Sequence, residues 1–140
     1  MEARRLIQEA VDESGANLVV LPENFAFMGE EDRDLLDLCE TEGRGPLQDF
    51  LAEMAIRYRI WLVGGTVPLT ATQPDRVRAA CLVFNDRGER VARYDKIHLF
   101  DVKLLETGEH YEESATIEPG DTSVVLDTPF GRLGLSVCYD

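Results

Sequence analysis

The sequence predicts an α/β fold, helices layered against a mixed β-sheet, and three observations predict it. Apolar residues recur at helical spacing within 3–13 and 46–58. Each of these segments is followed by a short, continuous apolar run, Ala16–Leu21 and Ile60–Val67, of the kind that forms strands buried on both faces. Further on, turn sequences join paired runs, which reads as hairpins and makes the sheet mixed.

Taken in order, residues 3–13 place apolar side chains at 6, 7, 10 and 11, and Ser14-Gly15 ends that helix. Ala16–Leu21 is a strand closed by Pro22. A short helix is predicted over 31–39. A longer one over 46–58 is opened by Pro46 after Gly45, with Leu47, Phe50, Leu51, Met54 and Ala55 on one face. Ile60–Val67 is the next strand, broken by Gly64-Gly65, and 68–76 is a polar loop. Val77–Asn85 and Arg90–Tyr94 flank Asp86-Arg87-Gly88 as a hairpin. Residues 95–121 show neither helical nor strand period, and so long a loop in a domain is commonly functional. A second hairpin pairs Ser123–Thr128 with Arg132–Val137 through Pro129-Phe130-Gly131.

Composition narrows the functional classes. With 140 residues, 44% hydrophobic and 29% charged, the chain has the makeup of one globular domain over 1–140. A net charge of −13 argues against nucleic acid or an anionic membrane as partner, because no basic patch offsets it. No apolar run reaches membrane-spanning length and no h-region follows Met1, so a cytoplasmic location is expected. Three cysteines without C-x-x-C spacing, and only two histidines, argue against a disulfide framework or a zinc cluster. Cys39 and Cys81 fall within helix and strand patterns and are expected in the core.

Three motifs hold the chemistry: Leu-Pro-Glu-Asn-Phe at 21–25, Tyr-Asp-Lys-Ile-His at 94–98 and Val-Cys-Tyr-Asp at 137–140. Each sets one reactive side chain (Glu23, Lys96, Cys138) just past a strand-like run, where α/β folds collect their sites. Cys138 becomes a nucleophile only if a neighbour takes its proton; otherwise a free cysteine packs as a small hydrophobe. Ser136, the rival nucleophile, sits in Gly-Leu-Ser-Val-Cys, which breaks the G-x-S-x-G elbow at its last position. Glu23 is aimed by Pro22 and suits a general base; its bland reading is a solvated loop carboxylate. Lys96 suits an oxyanion partner, or else pairs at the surface with Asp95 or Asp101. His98 either tunes this site or is simply packed. Glu113 lies late in the long loop among Glu106, Glu109, Glu112 and Glu118, and spacing alone does not choose among them. Carboxylate, ammonium and thiol together are what covalent hydrolysis of an unactivated amide requires. A nucleotide-binding reading fails for lack of a glycine-rich loop before a helix, since Gly64-Gly65 lies within a strand.

The three motifs, in this order and spacing, resemble the nitrilase superfamily of carbon–nitrogen hydrolases. The match runs through Leu-Val-Val-Leu-Pro-Glu-Asn, Ala-Arg-Tyr-Asp-Lys-Ile-His-Leu-Phe-Asp and Thr-Pro-Phe-Gly-Arg-Leu-Gly-Leu-Ser-Val-Cys-Tyr-Asp, and covers essentially the whole chain. It is similar to the amidase branch, with omega-amidase-like and deaminated-glutathione-amidase-like members; a true nitrilase is the minor alternative. The resemblance implies an α-β-β-α sandwich and a Glu23–Lys96–Cys138 triad. It also implies a second glutamate at Glu113 (Glu112 if the loop is one residue longer) and oxyanion support from the Tyr139 backbone N–H. It further implies a small-molecule amide substrate, a thioester intermediate, no metal or organic cofactor, and a homodimer or higher homo-oligomer at full length.

Against that family pattern the chain starts inside the first helix and stops two residues after Cys138. The expected fold is therefore an incomplete sandwich, lacking a first strand and the C-terminal half. Open apolar edges follow from that, and with them an expectation that these residues alone fold poorly and are inactive. A non-catalytic fragment or pseudoenzyme that associates with a full-length relative is the alternative reading.

Overall fold

In the computed structural model, which describes residues 2–29, 32–103, 108 and 110–140, the first element is helix α1, Glu2–Ser14. It ends where glycine permits it. Gly15 sits at φ 63° and its N–H donates to Val11 O (2.9 Å), a left-handed glycine closure, while Ala16 N–H reaches Ala10 O (3.3 Å). The buried stripe is Ala3 and Ile7, with Val11 packed against the same core, whereas Leu6 is 49% exposed. The stripe is narrower than the periodicity predicts because α1 lies against a single layer, and a line of i, i+4, i+8 positions fills that contact.

A 3-10 helix, Asp32–Leu38, stands where the short helix over 31–39 is predicted; residue 31 lies outside the described residues. Its three-residue turn brings Leu35 and Leu36 to the core and leaves Cys39 exposed, which corrects the expectation of a buried Cys39. Helix α2 spans Pro46–Tyr58, the predicted bounds. Its first N–H groups are satisfied from outside the helix: Glu40, itself buried, accepts from Leu47 N (2.5 Å) and Gln48 N (3.2 Å). Gly45 makes room for this, since a Cβ there would sit 2.3 Å from the Glu40 carboxylate.

The main sheet has five strands: β1 (Leu18–Val20), β2 (Trp61–Val63), β3 (Val67–Thr70), β4 (Val77–Phe84) and β5 (Arg90–Asp95). β1 pairs parallel to β2, while β2, β3 and β5 all pair antiparallel to β4. Because β2 and β3 use different stretches of one edge of β4, they form one interrupted strand, bent at Gly64-Gly65. Its second part falls where a polar loop is predicted. Pro68 hid it in the sequence, and an edge position tolerates that missing N–H. β1 is not buried on both faces as expected. It is an edge strand, and Val20 is 64% exposed.

β4 explains the layering. Ala80, Leu82 and Phe84 face α1 and α2 with Leu51, Met54 and Ile7, while Cys81 and Val83 face the other way. That second face is covered by the hairpin of β8 (Val125–Thr128) and β9 (Gly131–Gly134), through Val124, Leu126, Leu133 and Leu135. Burial on both sides makes β4 the continuous apolar run it is in the sequence. The hairpin's second strand stops at Gly134, three residues short of the predicted Val137, so Cys138 leaves a turn rather than a strand. Within 95–121 the chain forms a small ribbon, β6 (Asp101–Lys103) with β7 (His110–Glu112), then a 3-10 turn, Glu113–Ala115. Three-residue strands on a largely exposed ribbon carry no readable period. Among the described residues no helix is long and apolar enough to cross a membrane.

Candidate active site

β1 and β5 run in the same direction, each being related to β4 through an antiparallel pairing, so Glu23 and Lys96 emerge past the carboxyl ends of both. Three contacts aim Glu23. Leu21 N–H continues the ladder onto Val63 O (2.9 Å), Pro22 lies against Gly65, and Asn24 N–H donates to Thr66 Oγ1 (2.8 Å). Asn24 adopts φ 52°, a left-handed conformation that asparagine tolerates. Gly65, at φ 57°, is the tightest point, because a Cβ would lie 1.9 Å from Pro22 O. Gly65→Ala is therefore expected to destabilise the full-length protein by about 3 kcal/mol and displace Glu23. A fall in urea midpoint at constant slope would show it; an unchanged midpoint would mean that Pro22 yields freely.

Lys96 is 1% exposed, although it carries a charge. Its Nζ donates to Glu23 Oε1 (2.9 Å) and to both oxygens of Glu113 (2.8 and 3.0 Å). Burial works against the ammonium, but the hydrogen bonds to Glu113 and Glu23 outweigh it and raise the Lys96 pKa, so the group stays charged. It does not pair with Asp95, which binds Arg93, or with Asp101, which accepts from Ser114 N. Glu113 is fixed in turn by Phe100 N–H (2.6 Å to Oε2). Glu112 is exposed on β7, and Glu118 binds Thr72, Gln73 and Arg78 on another face. Glu106 and Glu109 lie outside the described residues. Of the described glutamates in the loop, Glu113 is thus the one facing Lys96.

Cys138 sits at φ 46°, unusual for a residue with a side chain, in a turn closed by Asp140 N–H on Val137 O (3.0 Å). Its thiol and the Glu23 carboxylate line the same cavity. The Cys138 pKa is raised by burial first and by the Glu23 charge and hydrogen bond next, with Lys96 pulling the other way. The resting group is a neutral thiol with a carboxylate acceptor beside it. Glu23, Cys138, Gly65, Val20 and Ser136 line a cavity of about 100 Å³. Ser136, set aside on sequence grounds, therefore borders the same space. Cys81 borders it as well; it is buried and its thiol is pushed up to about 11 by burial. Tyr139 packs its ring edge-on against Phe100, centroids 5.4 Å apart.

Sequence reasoning overlooked Thr66, Phe100 N–H and Asp140. The Asp140 carboxylate accepts from the Tyr94 hydroxyl, Ile97 N (3.3 Å), His98 N (2.9 Å) and Val137 N (2.9 Å). Burial would raise its pKa, but these donors, Tyr94 foremost, hold it down to about 2. His98 lies with Nδ1 3.0 Å from the same carboxylate and is exposed rather than packed. The clue was available, since Asp140 and Tyr94 both stand inside the quoted motifs.

A carbon–nitrogen hydrolase family model matches residues 1–140. The chain is 43% identical over 128 residues to a deaminated glutathione amidase of Yersinia enterocolitica, covering 91% of this chain and 44% of that protein. It is 33% identical to the omega-amidase NIT3 of Saccharomyces cerevisiae, covering 99% of this chain and 48% of the relative. The crystal structure of Saccharomyces cerevisiae Nit3, a member of branch 10 of the nitrilase superfamily, superposes with a TM-score of 0.78 at 30% identity. That superposition covers 98% of this chain and 48% of Nit3. The chain thus spans about half the length of the curated relatives it matches. With the motifs, the mixed α/β sheet and the family match over residues 1–140 in agreement, the chain belongs to the carbon–nitrogen hydrolase family.

Proposed function

We propose that this chain supplies the nucleophile, base and cation of a thiol amidase acting on a small carboxamide. The observation that carries the reading is the buried Lys96 ammonium held between Glu23 and Glu113, with Cys138 and Glu23 lining one cavity. The names of the relatives, a deaminated glutathione amidase and an omega-amidase, favour an amide over a nitrile and catalysis over a non-catalytic role.

Glu23 takes the Sγ proton as sulfur attacks the amide carbon, and the carbonyl electron pair moves onto oxygen. Lys96 exchanges one of its two Glu113 contacts for that oxyanion, and the Tyr139 backbone N–H is the second donor. When the C–N bond breaks, the leaving nitrogen takes the proton from Glu23 and departs as ammonia, leaving a thioester on Cys138. Water then gives a proton to Glu23 and attacks the thioester. The departing thiolate recovers the proton, and the carboxylic acid is released. Glu113 keeps Lys96 in place throughout and borders the water. A homodimer or higher homo-oligomer at full length belongs to the same reading.

Incubating the full-length protein with small primary carboxamides, and with the matching nitriles, tests the proposal. Ammonia release from the amides is expected, with an acyl mass increment on Cys138 after acid quench, and both should vanish once Cys138 is alkylated. Release that survives alkylation, or release from nitriles alone, would sink it.

A further inference from the structure

Asp140 takes no part in the proton and acyl transfers above, yet its carboxylate joins the two segments that carry Lys96 and Cys138. From the first segment, the Tyr94 hydroxyl donates to Oδ2, and the N–H groups of Ile97 and His98 donate to Oδ1 at 3.3 and 2.9 Å. These three donors bracket Lys96 in the chain. From the second segment, Val137 N–H, one residue before the nucleophile, donates to Oδ2 at 2.9 Å. Asp140 N–H meanwhile closes the turn on Val137 O at 3.0 Å, with Cys138 inside that turn at φ 46°. A left-handed conformation at a residue with a side chain persists only where its surroundings over-determine it.

We propose that Asp140 is a positioning residue of the thiol site: its carboxylate holds the Cys138 turn in register with the Lys96 segment. The sulfur is thereby kept against Glu23, and the oxyanion forms within reach of Lys96. Only an ionised carboxylate accepts from all these donors at once, because an amide would turn one donor group toward another. The donors on Asp140 keep it ionised across the neutral range. His98 adds a contact from the solvent side, with Nδ1 3.0 Å from Oδ1. Glu23 is aimed separately, through Gly65 and Thr66, so loss of Asp140 shifts the thiol against a stationary base.

The inference rests on the amidase reading, and its test separates the two. Asp140→Asn and Tyr94→Phe are made in the full-length protein. For each, kcat and KM on a small carboxamide, the pH profile of Cys138 alkylation by iodoacetamide, and the urea midpoint are measured. Misplacing a reacting group by about 1 Å costs on the order of 100-fold. Asp140→Asn is thus expected to lose about 100-fold in kcat with KM within about twofold, and to alkylate Cys138 with a shifted pH profile. Tyr94→Phe, which removes one donor and spares the carboxylate, should show a smaller fall of the same kind. A folded Asp140→Asn variant with kcat within about threefold of the parent overturns the proposal, as does a loss confined to KM. If Asp140→Asn does not fold, Tyr94→Phe decides: a fall in kcat at constant KM supports the role, and an unchanged kcat overturns it. If the parent protein releases no ammonia, the amidase reading fails instead. Alkylation then decides the positioning role, and identical Cys138 profiles in parent and Asp140→Asn overturn it.

Discussion

Cys138→Gly is expected to abolish amide hydrolysis while raising the melting midpoint of the full-length protein by about 2 °C. The two effects come from one backbone angle. Cys138 holds φ 46°, where a Cβ crowds the neighbouring carbonyl at a cost of roughly 1–2 kcal/mol. Glycine adopts the same angle freely, and after allowance for its greater freedom in the unfolded chain the net gain is about 1 kcal/mol. Activity falls to the uncatalysed background, because neither Glu23 nor Lys96 can replace the attacking sulfur. Cys138→Ala is the control: equally inactive, but without relief of the backbone. A glycine variant that melts no higher than the alanine variant would falsify the strain argument while leaving the nucleophile assignment intact. The result bears on function because the turn is held in a costly conformation only where that conformation aims the thiol.

Lys96→Met is expected to cost about 100- to 1,000-fold in kcat, the scale seen when an oxyanion donor is removed from a preorganised site. It should also cost about 3–5 kcal/mol of stability, the range for breaking a buried ion pair from one side. Against a typical total of about 5–15 kcal/mol, that is a large share. Methionine keeps the apolar stem, so the losses trace to the charge. Without the ammonium, Glu23 and Glu113 face one another with nothing between them, since Lys96 Nζ lies 2.9 Å from one and 2.8 Å from the other. Adding Glu113→Gln to Lys96→Met should recover part of the stability and none of the activity. Urea midpoints of the parent and both variants measure this. A double variant no more stable than Lys96→Met would show that something other than the facing carboxylates causes the deficit.

These expectations draw on features of unequal visibility in the sequence. Helix α2 was legible to the residue because its start is a proline with a preset φ and its apolar face repeats with helical period. The β4–β5 turn was equally legible, since Gly88 at φ 73° is the residue its closure requires. Glu23, Lys96 and Cys138 stood out because each follows an apolar run. β3 did not, because Pro68 interrupts its pattern and its outer edge is covered by the distant Glu40. Leu6 and Cys39 were misplaced because a one-dimensional period does not say how many layers a helix touches or how tightly it is wound.

Residues near one another in the chain fix the local part: where helices begin and end, the longer apolar strands, and which side chains can react. Proline and glycine dihedrals, capping groups and hydrophobic period act over a few residues, so they are written there. Long-range packing settled that Glu113 faces Lys96 while Glu112 faces solvent, and that a distant Glu40 caps α2. It alone brought the Asp140 carboxylate between the two motif segments. Those outcomes depend on strand register and on contacts between residues tens of positions apart. A shift of one residue there reverses which side chain points inward, and no local signal records it.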